Sequence, residues 1–307
     1  MIYTVTFNPS IDYIMFADDF ELNGLNRATE TFKFAGGKGI NVSRVLQTLN
    51  VPSTALGFAG GFPGQFIDDT LKKAGIQTDF IEIDEDTRIN VKLKTGDETE
   101  INAPGPNISQ THFENLLRQL KQTSKEDIVV VAGSIPKSVP KDAYEQIAKI
   151  IKQTGARLVV DAEKDLVESV LKYNPLFIKP NKHELEVMFD TAIDSDEDVI
   201  HYAQEIMKQG ASSVIVSLGG EGAVYVDHKH SLKASVPLGQ AVNTVGSGDS
   251  TVAGMIAGLE TGLTIENAFK QAVSAGTATA FNDDLASYKA IEDIKEQVTI
   301  TTLKGSE

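Results

Sequence analysis

Short apolar runs alternate with helix-type segments through most of this chain, and that alternation limits the fold more than any other feature. The strand-type runs are Ile2–Phe7, Thr54–Phe58, Ile128–Ala132, Arg157–Asp161, Leu176–Lys179 and Ser213–Ser217. Between them the sequence predicts helices over Ile40–Leu49, Gln65–Ala74, Thr111–Thr123, Lys141–Gln153, Lys182–Phe189 and Asp196–Gln209. The last third adds Gly248–Glu260 and Ile265–Ala280. Strands that are apolar throughout are buried on both faces. Joined by helices, they specify a doubly wound α/β fold with a mostly parallel sheet. Thr111-His-Phe-Glu114 reads as a capping box opening one of the helices.

Two places break the pattern. Ile11–Phe34 holds polar-apolar alternation at Asp12–Phe20 and Arg27–Phe34. Thr87–Asn102 holds it at Ile89–Lys94 and Glu98–Asn102, joined at Thr95-Gly-Asp97. Alternation of this kind marks antiparallel strands lying outside the main sheet. They form either one small β-sheet lid inserted into the α/β domain or two unrelated surface hairpins.

The chain has 307 residues, 41% hydrophobic and 23% charged, enough for one large core with a small appendage. It has no cysteine, which excludes disulfides, thiol nucleophiles and thiolate metal sites. The net charge of −15 argues against a nucleic-acid partner. A phosphorylated metabolite would be repelled too, unless basic residues gather locally. Met1–Phe7 has no basic leader and is cut by Asn8-Pro9, and no apolar run approaches the ~20 residues of a membrane span. The expectation is a cytoplasmic protein with no membrane partner.

In open α/β sheets, ligands bind beyond the carboxyl ends of the strands. Asn8–Asp12, Gly57–Gly64, Gly133-Ser134, Asp161, Lys179-Pro-Asn181 and Ser217–Gly222 all fall on that rim. Asn243-Thr-Val-Gly-Ser-Gly-Asp249-Ser reads as a tight turn opening a helix. Gly246, Ser247 and Gly248 could hold an anion on free helical N–H groups, with Asp249 beside it to accept a proton. The plainer reading is a helix capped by aspartate. Two familiar glycine motifs do not fit. The dinucleotide fingerprint fails at Thr251, and the P-loop fails because Gly37-Lys38 is followed by Gly39.

Ala35-Gly-Gly-Lys-Gly-Ile-Asn41 is a second candidate anion or sugar site at a helix start, or else a flexible turn. Asp12 could grip sugar hydroxyls or face solvent. Asn181 and Glu184 lie three apart, hence on one helix face, and suit Mg²⁺ or a simple N-cap with its glutamate. Ser217-Leu-Gly-Gly-Glu-Gly222 suggests a turn passing closely over a nucleotide.

Taken together, Ala35–Asn41 and Asn243–Ile256 resemble the two signatures of the PfkB (ribokinase-like) carbohydrate kinases. Asn8-Pro9 and Gly133-Ser134 add to the match, although Ile135 stands where leucine is usual. The resemblance covers residues 1–307 as one kinase domain, with lid strands from about 12–34 and 87–102. It implies ATP and Mg²⁺. Asp249 resembles the catalytic base, and Gly246, Ser247 and Gly248 the anion hole. Lys179, Asn181, Ser217, Gly219, Gly220, Glu221 and Gly222 resemble the nucleotide contacts. Asn181 and Glu184 resemble the pair that organises the metal through water. Asp12, Gly36, Gly37, Lys38, Asn41 and Ser134 resemble the sugar site.

Arg27, Lys38, Arg88 and Lys92 would make a positive pocket for a phosphate on the acceptor. Thr87–Leu93 resembles the lid strand of the 1-phosphofructokinase branch, as do Asn8–Asp12 and Phe34–Val45. That branch makes fructose 1,6-bisphosphate from fructose 1-phosphate. Tagatose-6-phosphate kinase and the minor 6-phosphofructokinase are alternatives. A non-catalytic sugar-phosphate sensor would be expected to have lost Asp249 or the anion hole, and both are intact. The lid strands carry the apolar residues Ile14, Phe16, Phe32, Phe34, Val91 and Leu93, and a sheet set outside the domain cannot bury both faces on its own cleft, so a homodimer joined through the lids is expected, and the resemblance adds to this.

Overall fold

The computed structural model describes residues 1–303 except Asp19 and Asp97. Both exceptions fall within sequence-predicted lid segments, Asp12–Phe20 and the turn at Asp97, so those two points lie outside the described residues. The main sheet runs, in spatial order, Thr299–Thr302, Ser231–Ser235, Ala223–Asp227, Ser213–Ser217, Phe177–Ile178, Arg157–Asp161, Ile128–Ala132, Ile2–Thr6, Ser53–Ala59 and Gln77–Glu82. From Ser213–Ser217 to Gln77–Glu82 every neighbour is parallel. The other edge closes with antiparallel pairings.

The central strands show why this sheet needs helices on both faces. Ile128–Ala132 is buried throughout. Val129 and Val131 pack into one apolar layer with Phe7, Phe113, Tyr144 and Ile147. Ile128 and Val130 point the other way, into a layer with Val42, Leu46, Ile256 and Phe269. Period-2 alternation in a β-branched run thus feeds two cores at once.

Three strands, Gln77–Glu82 and Thr299–Thr302 at the two edges and Ser231–Ser235 next to one of them, carry no sequence-predicted counterpart. Each is polar and half exposed, so the apolar signal that marks a buried strand is missing. The short helices Lys164–Val170 and Tyr288–Lys295 escape for a similar reason. The capping box at Thr111 is corrected. The helix begins earlier, at Gln110, and its N-cap is Ser109, whose hydroxyl accepts from the His112 N–H at 3.2 Å. Ser109→Ala should therefore cost about 1 kcal/mol in chemical denaturation, while Thr111→Ala, at an exposed site, should stay within about 0.5. Equal effects would put the cap back at Thr111.

The lid exists as one sheet, ordered Glu30–Gly36, Ser10–Phe16, Arg88–Lys94, Glu98–Ile101. Its two hairpins are antiparallel, and they join through a parallel pairing of Ser10–Phe16 with Arg88–Lys94. Register puts Asp12 beside Phe34 and Asn90 on the face that looks into the cleft. Ile11, Ala35 and Ile89 lie on the opposite face. There they pack with Phe66, Ile67 and Leu71 of the helix Gly61–Lys73. The outer face of the lid is therefore partly covered by its own domain rather than left wholly bare.

Candidate active site

A cavity of about 920 Å³ opens where the carboxyl ends of the strands meet the lid. The sheet order reverses direction there, at Ile2–Thr6. The helix Ser247–Glu260 points its start into the cavity. Its N-cap is Gly246, with φ 79°, a left-handed conformation that glycine adopts without a steric cost. Asp249 sits in the first turn and caps nothing. Its Oδ2 accepts from Asn41 Nδ2 at 2.9 Å, and the residue is 5% exposed. The plain N-cap reading of Asp249 is thereby replaced by a contact between the two glycine motifs. The first N–H groups of this helix have no i−4 partner, though Ser247 N–H makes a long 3.3 Å bond to the Thr244 carbonyl.

Asp161 lies below this turn, almost fully buried at the end of its strand. Lys38 Nζ is 3.3 Å from Asp161 Oδ2, and Lys179 Nζ is 3.5 Å from Oδ1. Burial raises the Asp249 carboxyl, Asp161 raises it further, and Lys38, Asn41 and Lys179 pull it back, leaving it at about 6. Burial alone would also raise Asp161, but Lys179 and Lys38 outweigh that and hold it below its ordinary value. Burial pulls Lys38 down, while Asp161 and Asp249 together hold it above its ordinary value.

On the lid side, Asp12 Oδ1 accepts from Ser10 at 2.8 Å and from Asn90 Nδ2 at 3.1 Å. A Cβ on Gly36 would run into the Asp12 carboxylate, so a larger residue there would have to displace that side chain from its place in the cleft. Arg88 donates to the carbonyls of Asn8 at 3.1 Å and Ala103 at 3.3 Å, while its buried Nε makes no hydrogen bond. Lys92 is buried and lies 3.5 Å from Glu100. Asn181 and Glu184 form a reciprocal capping box, each bond 2.8 Å. Both still border the cavity.

Most of the sequence-predicted residues converge. Asp12, Gly37, Lys38, Asn41, Arg88, Ser134, Lys179, Asn181, Glu184, Ser217, Gly219, Gly220, Gly222 and Gly246–Asp249 all line the cavity. Three do not. Gly36 stands behind Asp12. Glu221 is exposed and is not part of the cavity lining. Arg27 is exposed on the connection between lid strands and does not reach the cavity within one chain. The expectation of a positive pocket is also corrected. Basic lining residues are Lys38, Arg88, Lys92 and Lys179, against the acids Asp12, Glu100, Asp161, Glu163, Glu184 and Asp249. Positive charge is local, and each lysine is held by a carboxylate. Asn90, Glu100 and Asn102 were missed by the sequence reading, although Arg88, Asn90 and Lys92 share one face by simple alternation.

The profile of the pfkB family carbohydrate kinases matches residues 5–287. This chain belongs to that family. A Bacillus subtilis 1-phosphofructokinase is 48% identical over 99% of the chain and 100% of its own length. A Bacillus licheniformis D-tagatose-1-phosphate kinase is 34% identical over 99% and 100%. A solved Staphylococcus aureus structure, provisionally named a phosphofructokinase, is 70% identical over 100% of both chains, with a TM-score of 0.91. The fold is thus that of a carbohydrate kinase, a large mostly parallel sheet with a small lid. Among the described residues, no helix is long and apolar enough to cross a membrane.

Proposed function

We propose that this chain transfers the γ-phosphoryl group of ATP to the 6-hydroxyl of D-fructose 1-phosphate, giving D-fructose 1,6-bisphosphate and ADP. The observation that carries the proposal is the position of Asp249. It is a buried carboxylate in the first turn of a cavity-facing helix, beside N–H groups that have no helical partner. At neutral pH it is ionised and still basic. It takes the proton from the sugar hydroxyl as that oxygen bonds to phosphorus and the bond to the ADP oxygen breaks. The Gly246–Gly248 turn receives the charge of the moving phosphoryl group.

Asp12 and Asn41 orient the sugar hydroxyls. Arg88 and Lys92 lie on the cleft face of the lid strand and take the acceptor's own phosphate. Ser217, Gly219, Gly220, Gly222 and Lys179 line the nucleotide side. Family members use a divalent metal with ATP, and the excess of carboxylates in this cavity calls for added positive charge when two phosphorylated ligands enter. Among the described residues, no three acidic or histidine side chains gather as a closed metal cage. That suits Mg²⁺, which keeps several waters and takes most ligands from phosphate. Glu184 and Asn181 would hold it through water, since a capping box leaves the carboxylate with acceptor capacity to spare.

The similarity to a tagatose-1-phosphate kinase favours one second reading, an acceptor that differs only at a ring-carbon configuration. A coupled ADP-release assay decides between them. Across fructose 1-phosphate, tagatose 1-phosphate, tagatose 6-phosphate, fructose 6-phosphate, ribose and fructose, fructose 1-phosphate should give the highest kcat/KM. A win by any other acceptor overturns the assignment.

The lid also supports a homodimer. Phe16, Phe32 and Phe34 form an aromatic row, with centroids 6.0 and 6.5 Å apart, and Phe32 is 45% exposed. Leu22 and Leu25, in the adjoining connection, are more than four-fifths exposed. Apolar surface of this kind on a projecting sheet is best covered by a second copy. Phe16→Asp should shift the protein toward monomer in sedimentation and weaken sugar-phosphate binding together. A wild-type monomer at micromolar concentration with full activity rules the dimer out.

A further inference from the structure

We propose that Asp161 is a positioning residue, which pairs with Lys38 and Lys179 so that neither ammonium group neutralises Asp249. The inference rests on Asp249 acting as the base. Three observations lead to it. First, the two lysines approach different oxygens of one carboxylate, at 3.3 and 3.5 Å, so Asp161 is shared between them. Second, the Lys179–Asp161 pair is buried on both sides, 6% and 4% exposed, so water screens it little, while Lys38 reaches the same carboxylate from a partly exposed position. Third, the polar contact of Asp249 is the neutral amide of Asn41, which orients the carboxylate without supplying a counter-charge.

Lys179 lies close enough to matter. A methyl group on Gly248 would meet its Nζ at 3.1 Å, so the ammonium borders the turn that carries Asp249. Lys38 comes from the helix Lys38–Thr48, one turn before Asn41. Glu184 adds a further negative charge near Lys38. The helix Ile265–Ala280, packed along the Asp249 helix, brings Gly276 and Thr277 to the cavity, and both are neutral. Asp249 therefore faces one carboxylate and two ammonium groups, and Asp161 decides which acid the lysines serve.

Without Asp161, both lysines would turn to the remaining buried carboxylate. An ion-paired carboxylate is a weaker base, because the cation stabilises its charged form. The same loss would free Lys179 from its place against the anion hole. Asp161 thus raises the basicity of Asp249 and fixes a cation beside the transferring group.

The test is the pH dependence of kcat/KM for wild type, Asp161→Asn, Lys179→Gln and Asp249→Asn. The acceptor's own second ionisation, at about 6, is common to all four, so differences between profiles report the enzyme. Asp161→Asn should move the acid limb down by about one unit or more, the size expected when charges exchange at this range, and should raise KM for ATP. Lys179→Gln should move the limb up, in the opposite sense. If Asp161→Asn does not fold, the Lys179→Gln profile carries the test alone. A purely structural Asp161 would lower activity with the limb unmoved in both variants, and that result overturns the proposal. The failure of the underlying reading looks different: Asp249→Asn would then keep wild-type activity.

Discussion

Asp249→Asn should lower kcat by about 10²–10⁴, the usual contribution of a general base, while ATP still binds. Asparagine keeps the shape of the side chain and removes the proton acceptor. The Asn41 Nδ2 contact can be preserved by the new amide oxygen, so the turn stays in place. Steady-state kinetics with a parallel measurement of nucleotide binding separates the two effects. Retention of more than about a tenth of wild-type kcat would show that the proton leaves by another route. The substitution also removes a buried charge beside Asp161, which makes global unfolding an unattractive explanation for lost activity.

Both glycine motifs were legible in the sequence, but their contact was not. Asn41 and Asp249 are 208 residues apart, and only the fold brings them to hydrogen-bond distance. The central strands were equally plain, because burial on both faces leaves an unbroken apolar run such as Ile128–Ala132. Strands at or beside the sheet's edges gave no such sign. Ser231–Ser235 has only Leu232 and Ala234 between polar residues, too short an apolar signal to stand out, and it borrows its stability from neighbours on either side.

Charge was the least legible property. A count of basic residues near the lid suggested a positive pocket, yet each lysine there carries a carboxylate partner supplied from elsewhere in the chain. Lys92 meets Glu100 across a hairpin, and Lys38 meets Asp161 across 123 residues. Asp161 itself ends a strand like many others, and nothing local marks it as the shared partner of two lysines. Arg27 shows the converse. Its sequence neighbourhood pointed to the pocket, but the lid strand that follows it begins only at Glu30 and leaves it on an exposed connection.

Arg88→Ala should raise KM for the sugar phosphate at least about tenfold, with KM for ATP little changed. A charge-assisted hydrogen bond contributes about 1.5–3 kcal/mol, and about 1.4 kcal/mol is a factor of ten in binding. The geometry strengthens the expectation. Two carbonyl contacts, to Asn8 and Ala103, fix the guanidinium plane before any ligand arrives, and the buried Nε retains an unused donor. Burial pushes the guanidinium down from its ordinary value, with Asp12 pushing back, and an incoming phosphate would supply a stronger counter-charge. Arg88→Lys separates charge from geometry: it keeps the former and loses the planar fork, so its KM should fall between the two. If Arg88→Ala leaves the sugar KM unchanged, Arg88 serves only to tie the lid strand to the Asn8 and Ala103 carbonyls, and the acceptor phosphate must rest on Lys92 instead.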